Sequence, residues 1–173
     1  MDATTLIASL EGAVPSAACE PAPSADLHTT VFVPSEHLAA IAEALRDRAD
    51  LRFALLADVT AVDFHPREPR FELVYHLVSI EHRHRARVKV RLQGDAAHVP
   101  TLVGVWPAAN WLEREVWDMF GIAFDGHPDL RRILMPADWE GHPLQKDYPL
   151  GYEEVQFTFN SDDVAQRKPH PKN

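Results

Sequence analysis

Nine consecutive residues, His84–Leu92, alternate without interruption, with Ala86, Val88, Val90 and Leu92 on one side and Arg85, Arg87, Lys89 and Arg91 on the other. Only a strand, whose side chains repeat every second residue, separates two sets so cleanly. The chain must therefore hold a sheet with one face in a core and a cationic face outside it. Phe71–Ile80, apolar on both sides apart from Glu72 and His76, predicts a central strand, and Glu81–Arg83 a turn between the two. Phe53–Val62 predicts a third strand. Leu27–Val33, with Leu27, Thr29, Val31 and Val33 on one side, predicts a fourth that Pro34 ends.

The helical signals sit around this sheet. Ser35 reads as the N-cap of a helix whose Leu38, Ile41, Ala42 and Leu45 form one apolar stripe. Thr4–Leu10 predicts a short helix, and Ala13–Ala25, interrupted by Pro15, Pro21 and Pro23, a mobile or extended linker. The fold class is α+β, with helices packed on a mostly antiparallel mixed sheet and a long irregular C-terminal arm. Residues 1–25 form an N-terminal helix and Pro/Ala-rich linker, 26–122 an α+β core, and 123–173 an extended partner-binding arm and tail.

A chain of 173 residues, 46% hydrophobic and 25% charged, suits one globular domain with extensions. Its net charge of -9 opposes nucleic-acid binding, because phosphates repel it. No apolar run reaches the roughly 18 residues of a membrane span. Cys19 is the single cysteine, so this chain alone forms no disulfide, four-cysteine zinc site or iron–sulfur centre, and a reducing compartment fits. The start, MDATTLIASLEG, lacks a basic n-region and reads as mature and bacterial-like.

Catalytic signatures are missing too. The seven glycines never cluster into a dinucleotide fingerprint or a phosphate loop, and there is no G-x-S-x-G elbow. The histidines lack metal-ligand spacing: His82 and His84 fall at a turn, while His127 and His142 precede prolines and read as turn anchors. No catalytic, cofactor-binding or metal residue is expected in this chain. The cationic strand face lacks the interleaved aromatics of a single-strand reader. It suits solvent, an acidic protein surface or the chain's own acidic segments.

The stretch Trp111–Leu150 carries the densest signal. Asn110 with Glu113 reads as a capping box, Gly121 as a left-handed stop, and the helix between them as Trp111–Phe120 with an apolar stripe of Leu112, Val116, Met119 and Phe120. Arg114 is expected to point outward and pair with Asp118 one turn on. Glu115, without a local explanation, is expected to pair with Arg131 or Arg132. Acid–base or metal chemistry at Glu113, Glu115 and Asp118 is the weaker reading. From Asp125 to Leu150, Pro128, Pro136, Pro143 and Pro149 break every element, while Leu130, Ile133, Leu134, Met135, Trp139 and Tyr148 are too apolar for free solution. An arm laid across another subunit accounts for this better than a loop on its own domain.

The motifs E-R-E-V-W-D-M-F-G-I at Glu113–Ile122, G-H-P-D-L-R-R-I-L at Gly126–Leu134, D-W-E-G-H-P-L at Asp138–Leu144 and K-D-Y-P-L at Lys146–Leu150 occur together with R-F-A-L-L-A-D-V-T-A-V-D at Arg52–Asp63 and F-E-L-V-Y-H-L-V-S-I at Phe71–Ile80. With these motifs the chain resembles the peripheral-arm subunit designated C in bacterial NADH:quinone oxidoreductase, respiratory complex I. The family pattern places Arg before Lys146, where this chain has Gln145, so one cationic contact is missing. The resemblance implies a cofactor-free peripheral-arm subunit on the cytoplasmic side of the bacterial inner membrane, associated with the membrane only through the complex. It implies an arm that embraces the large subunit forming the quinone pocket, beside neighbouring iron–sulfur subunits, with Arg131, Arg132, Trp139, His127, His142, Lys146 and Asp147 as fastening residues. FMN and iron–sulfur clusters would belong to partner chains, which carry electrons from NADH to quinone, and proton translocation to the membrane arm. The alternative is the equivalent subunit of an energy-conserving membrane-bound nickel–iron hydrogenase.

Overall fold

The computed structural model describes residues 1–26, 28–94, 96–149, 157 and 159–167. Leu27 and Leu150, the ends of two segments singled out above, and 151–156 and 168–173 of the expected tail lie outside the described residues.

Helix α1, Ala3–Ala13, begins at Asp2, whose carboxylate accepts the Thr5 N–H at 2.8 Å, and it buries Leu6 and Leu10. Of the two expected forms of the following segment, mobile or extended, the structure shows the extended one, tied to the sheet. Its prolines forbid helix but not an edge strand. Strand β1, Glu20–Pro21, pairs antiparallel with β2, Thr29–Phe32, and Ala17 and Cys19 are buried beneath it. Burial, with Glu11 nearby, pushes the Cys19 thiol up to about 11, which leaves it unreactive.

Ser35 opens a single 3₁₀ turn, Ser35–His37, instead of capping the helix, because the His37 N–H is already taken by the Pro34 carbonyl at 3.2 Å. Helix α2, Leu38–Asp47, follows and buries the expected stripe of Leu38, Ile41, Ala42 and Leu45. Strands β3 (Leu55–Asp63), β4 (Phe71–Ser79) and β5 (His84–Leu92) form a meander, and the sheet runs β1-β2-β5-β4-β3. The β2–β5 pair is parallel and the others are antiparallel. The fold is therefore the expected α+β arrangement on a mostly antiparallel mixed sheet.

Strands β4 and β5 stay in register from Phe71 opposite Leu92 to Ser79 opposite His84, which puts Phe71, Leu73, Tyr75 and Leu77 beside Ala86, Val88, Val90 and Leu92 in the core. The opposite face carries the cations. Most of them meet the chain's own acids: Arg87–Asp26 at 2.6 Å, Lys89–Glu72 at 2.6 Å and Arg91–Glu20 at 3.2 Å, with Arg91 also stacked 3.6 Å from the Phe32 ring centre. Arg85 is exposed and makes no ion pair among the described residues.

Helix α3, Ala109–Phe120, packs on β3 and is framed by β6, His98–Pro100, and β7, Ala123–Asp125, which pair in parallel. Trp106, just before α3, locks this unit to the sheet by donating its indole N–H to the Phe53 carbonyl at 3.0 Å. The irregular arm therefore begins only after β7. A last short helix, α4, spans Ser161–Arg167.

Since Leu73 is fully buried between two paired strands, Leu73→Ala is expected to cost about 2–5 kcal/mol. Arg85→Ala, on the outer face, should stay within about 0.5 kcal/mol. Denaturant unfolding of the two variants checks the assignment of the faces.

Candidate functional site

Helix α3 ends at Gly121, whose φ of 79° is the left-handed region that a side chain resists and whose N–H closes on the Trp117 carbonyl at 2.9 Å. Three further carbonyls remain to be satisfied, and the arm satisfies them. His142 Nδ1 donates to the Asp118 carbonyl at 3.0 Å, Leu144 N–H to Met119 at 2.9 Å, and Gln145 Nε2 to Phe120 at 2.7 Å. The fit is close: a Cβ at Gly121 would stand 2.7 Å from the His142 ring and 3.0 Å from Gln145. Gln145 thus has a defined task at the helix end.

The centre of the attachment is the Asp118 side chain, which is 0% exposed. One oxygen meets Arg132 at 2.6 Å. The other accepts three successive backbone N–H groups, from Ile133 at 3.0 Å, Leu134 at 2.8 Å and Met135 at 2.9 Å. A turn of consecutive amides is an anion-binding concavity, and here the anion comes from the chain itself. Burial pushes the Asp118 carboxyl upward, but these N–H groups and Arg132 outweigh it and hold the acid below its ordinary value. Arg132 also donates to the Gly141 carbonyl at 2.9 Å and lies 5.6 Å from the Trp117 ring centre. Arg114 donates to the carbonyls of Arg131 at 3.0 Å and Arg132 at 3.2 Å, and stacks over Trp111.

A second carboxylate holds the far end of the arm. Asp63, at the end of β3 and 3% exposed, accepts from the His65 N–H at 2.8 Å, from Arg70 at 3.1 Å and from the Lys146 N–H at 2.9 Å. Arg70, itself buried, reaches Asp147 at 2.6 Å. Burial again works upward on Asp63, and its bonds to Arg70, Lys146 and His65 prevail and lower it; the bond from Arg70 lowers Asp147. The arm is thus pinned at two buried carboxylates that belong to the core.

Several expectations for α3 need correction. The Asn110–Glu113 capping box does not form, because the first helical amides already close on the preceding turn, Ala109 N–H on Trp106 and Asn110 N–H on Pro107. Glu113 instead points inward, 0% exposed, at 2.5 Å from the Thr101 hydroxyl and 2.7 Å from the Leu102 N–H. Arg114 and Asp118 do not pair or point outward; both are buried beneath the arm. Glu115 is exposed and bonds neither arginine, since Arg132 is engaged by Asp118 and Arg131 pairs with Asp129 at 2.9 Å on the surface. The arm from His127 to Asp147 lies against its own domain, contrary to the expectation that it would leave it.

His127 anchors the start of the arm: its Nδ1 accepts the Asp129 N–H at 3.0 Å, which leaves Nε2 to donate to the Asn110 carbonyl at 3.2 Å. Trp139 is half-buried, with an indole N–H that lacks a partner among the described residues. Lys146 contributes its backbone, and its side chain is exposed. Reading the residues one by one missed Asp63, Arg70 and Thr101. A usable signal was the charge at each end of the β3–β4 hairpin, since Asp63 and Phe71 are cross-strand partners and Arg70 stands beside them. Among the described residues no group of three or more His, Cys, Asp or Glu could hold a metal ion.

The described geometry is an attachment of the arm to the core, built from Asp118 with the R-R-I-L-M and G-H-P-L-Q-K-D segments. The family described as Respiratory-chain NADH dehydrogenase, 30 Kd subunit, matches residues 31–154, which takes in both pinning carboxylates and the whole described arm. The chain belongs to this family. It is 50% identical to the NADH-quinone oxidoreductase subunit designated C in Roseiflexus sp. (strain RS-1), over 99% of this chain and 98% of the relative. It is 45% identical to the NADH-quinone oxidoreductase subunit designated C/D in Methylococcus capsulatus over 84% of this chain, which is 26% of that relative. A chain in the structure of the membrane-bound sulfane sulfur reductase, an archaeal respiratory membrane complex, shares the fold with a TM-score of 0.71 and 25% identity, over 98% of this chain and 95% of that one. For this member of the 30 Kd subunit family, Asp118→Ala should cost about 3–5 kcal/mol, because it leaves Arg132 and three amides without their acceptor. Limited proteolysis should then cut the 126–149 segment first, whereas Glu115→Ala should leave both stability and cleavage unchanged.

Proposed function

We propose that this chain is a non-catalytic, cofactor-free peripheral-arm subunit of a proton-translocating NADH:quinone oxidoreductase, and that it supports assembly of the quinone-reducing module. The observation that carries the reading is the near-full-length identity to relatives with that designation, joined to a described structure whose buried charges are spent on holding an arm. Its partners in this reading are the large quinone-pocket subunit and the neighbouring iron–sulfur subunits. The relative designated C/D supports the first of these, because there a chain like this one is continuous with a second named subunit. FMN and iron–sulfur clusters belong to partner subunits. The location in this reading is the cytoplasmic side of the bacterial inner membrane, peripheral, with contact to the bilayer through the complex; no helix among the described residues is long and apolar enough to cross a membrane.

Three large apolar side chains of α3 and the arm stand in solvent among charged neighbours. Trp111, Leu134 and Leu144 are 61%, 59% and 52% exposed, although α3 and the arm residues around them are fixed by the Asp118 clamp. Large apolar side chains held rigidly in solvent mark a protein contact. The likeness to a chain of the sulfane sulfur reductase complex favours one second reading, an equivalent structural subunit of a respiratory membrane complex that does not oxidise NADH, of which a nickel–iron hydrogenase is one form.

Purification of the native complex through a tag on this chain tests the assignment. NADH:quinone activity in the purified complex is expected, and hydrogen evolution or sulfur reduction without NADH oxidation would establish the second reading. Leu134→Asp with Leu144→Asp should leave the melting temperature of the isolated chain within a few degrees and abolish recovery of partner subunits. Arg132→Ala should lower the amount of assembled complex more than the turnover of what assembles.

A further inference from the structure

Three carboxyl groups are buried among the described residues, and they are not treated alike. Asp118 faces Arg132 and three amides, and Asp63 faces Arg70 and two amides. Glu113 has no cation. Its oxygens meet the Thr101 hydroxyl at 2.5 Å and the Leu102 N–H at 2.7 Å. A second polar group is orphaned nearby: Tyr75 of β4 is fully buried, its hydroxyl has no hydrogen-bond partner among the described residues, and it feels the Glu113 charge. An ionised carboxylate taken out of water with two neutral donors is far less favourable than the neutral acid.

Among the described residues, the ionisable groups that the packed elements place around this turn are engaged elsewhere: Arg46 of α2, which donates to the Val105 carbonyl at 3.1 Å, is paired with Asp47 at 2.6 Å. On α3, Arg114 and Asp118 are held by the arm, and on β3, Asp63 is held by Arg70. On the β6–β7 pair, His98 and Asp125 bond each other at 2.7 Å on the surface. From β4 comes only the phenol of Tyr75, which opposes a negative charge.

We propose that Glu113 is a buried proton-binding site: the folded domain carries it as a neutral carboxylic acid bonded to Thr101, and its ionisation loosens the Thr101–Trp106 turn from helix α3. The 2.5 Å contact accommodates either oxygen as donor, since Thr101 Oγ1, which accepts the Val103 N–H at 3.3 Å, keeps a second lone pair for a protonated Glu113. Burial pushes Glu113 up to about 7, and the bonds from Thr101 and Leu102 offset it only in part. The folded value lies above the ordinary 4.5, so the stabilisation by the bound proton is complete below that value and is lost as pH rises through about 7. In between, the unfolding constant rises by up to about tenfold per pH unit on account of this group alone. Because Glu113 and Asp118 share one helix, the proton also steadies the element that holds the arm.

Unfolding of the full chain and of Glu113→Gln, followed at pH 5 and pH 8, tests the site. His76, lowered by its own burial, contributes equally to both proteins and cancels in the comparison. The unfolding constant of the native chain should rise about seventyfold more than that of the variant over this range. Parallel profiles would overturn the proposal. Should the variant not fold, carbon-13 NMR of the native chain decides: one glutamate carboxyl with a midpoint near 7 is expected, and titration of every glutamate below pH 5.5 would refute it.

Discussion

The Asp118 carboxylate is placed where two general effects oppose it. It is buried, and it lies in the last turn of a helix, where the dipole is negative. It is tolerated because the arm delivers a guanidinium to one oxygen and three consecutive amides to the other. The dependence runs both ways. Without the arm, α3 would end in a carboxylate and three carbonyls with no partner in the protein; without α3, the amides of Ile133, Leu134 and Met135 would have no acceptor and the turn no reason to form. Helix end and arm are one cooperative unit, even though the arm contains no helix or strand of its own.

This changes what a partner would meet. An arm that is disordered until it binds must bear its ordering cost at that moment, which lowers affinity for a given contact area. Here the cost is borne when the domain folds, through Asp118 at one end and Asp63 with Arg70 at the other. The side chains left facing outward between these pins, Leu134 and Leu144 with Trp111 beside them, are already in position. Beneath them Asp118, Arg114 and Arg132 point inward and are satisfied by one another's segments.

The sheet was legible in the sequence because its signal is local. The alternation in His84–Leu92 and the stripe from Leu38 to Leu45 each report burial through a fixed period, and a single solvent-facing side is enough to produce it. The attachment was not legible from the residues taken singly, for a different reason. Glu113, Arg114 and Asp118 were assigned partners within their own helix, since sequence reveals neighbours three and four residues away and nothing of a segment that returns from residue 132 or 145. Their actual partners are mostly backbone amides and carbonyls, which every residue possesses and no pattern marks. What the motifs did convey was the family, through resemblance rather than through periodicity.

That backbone character also explains which positions in the arm are constrained. Where the arm uses an amide, as at Ile133, Leu134, Met135 and Lys146, the side chain is free to serve another purpose. Where only a particular group suffices, identity is fixed: a carboxylate at Asp118 and Asp63, a forked cation at Arg132, and glycine at Gly121, where a Cβ would strike the His142 ring, and at Gly141, where it would stand 2.7 Å from Tyr148. Gln145 falls between these classes. Its position needs one N–H aimed at the Phe120 carbonyl, 2.7 Å away, and an amide provides that as well as a guanidinium does. Replacing arginine by glutamine there removes a charge at a helix C-terminus, worth a fraction of a kcal/mol, and keeps the bond that closes the helix.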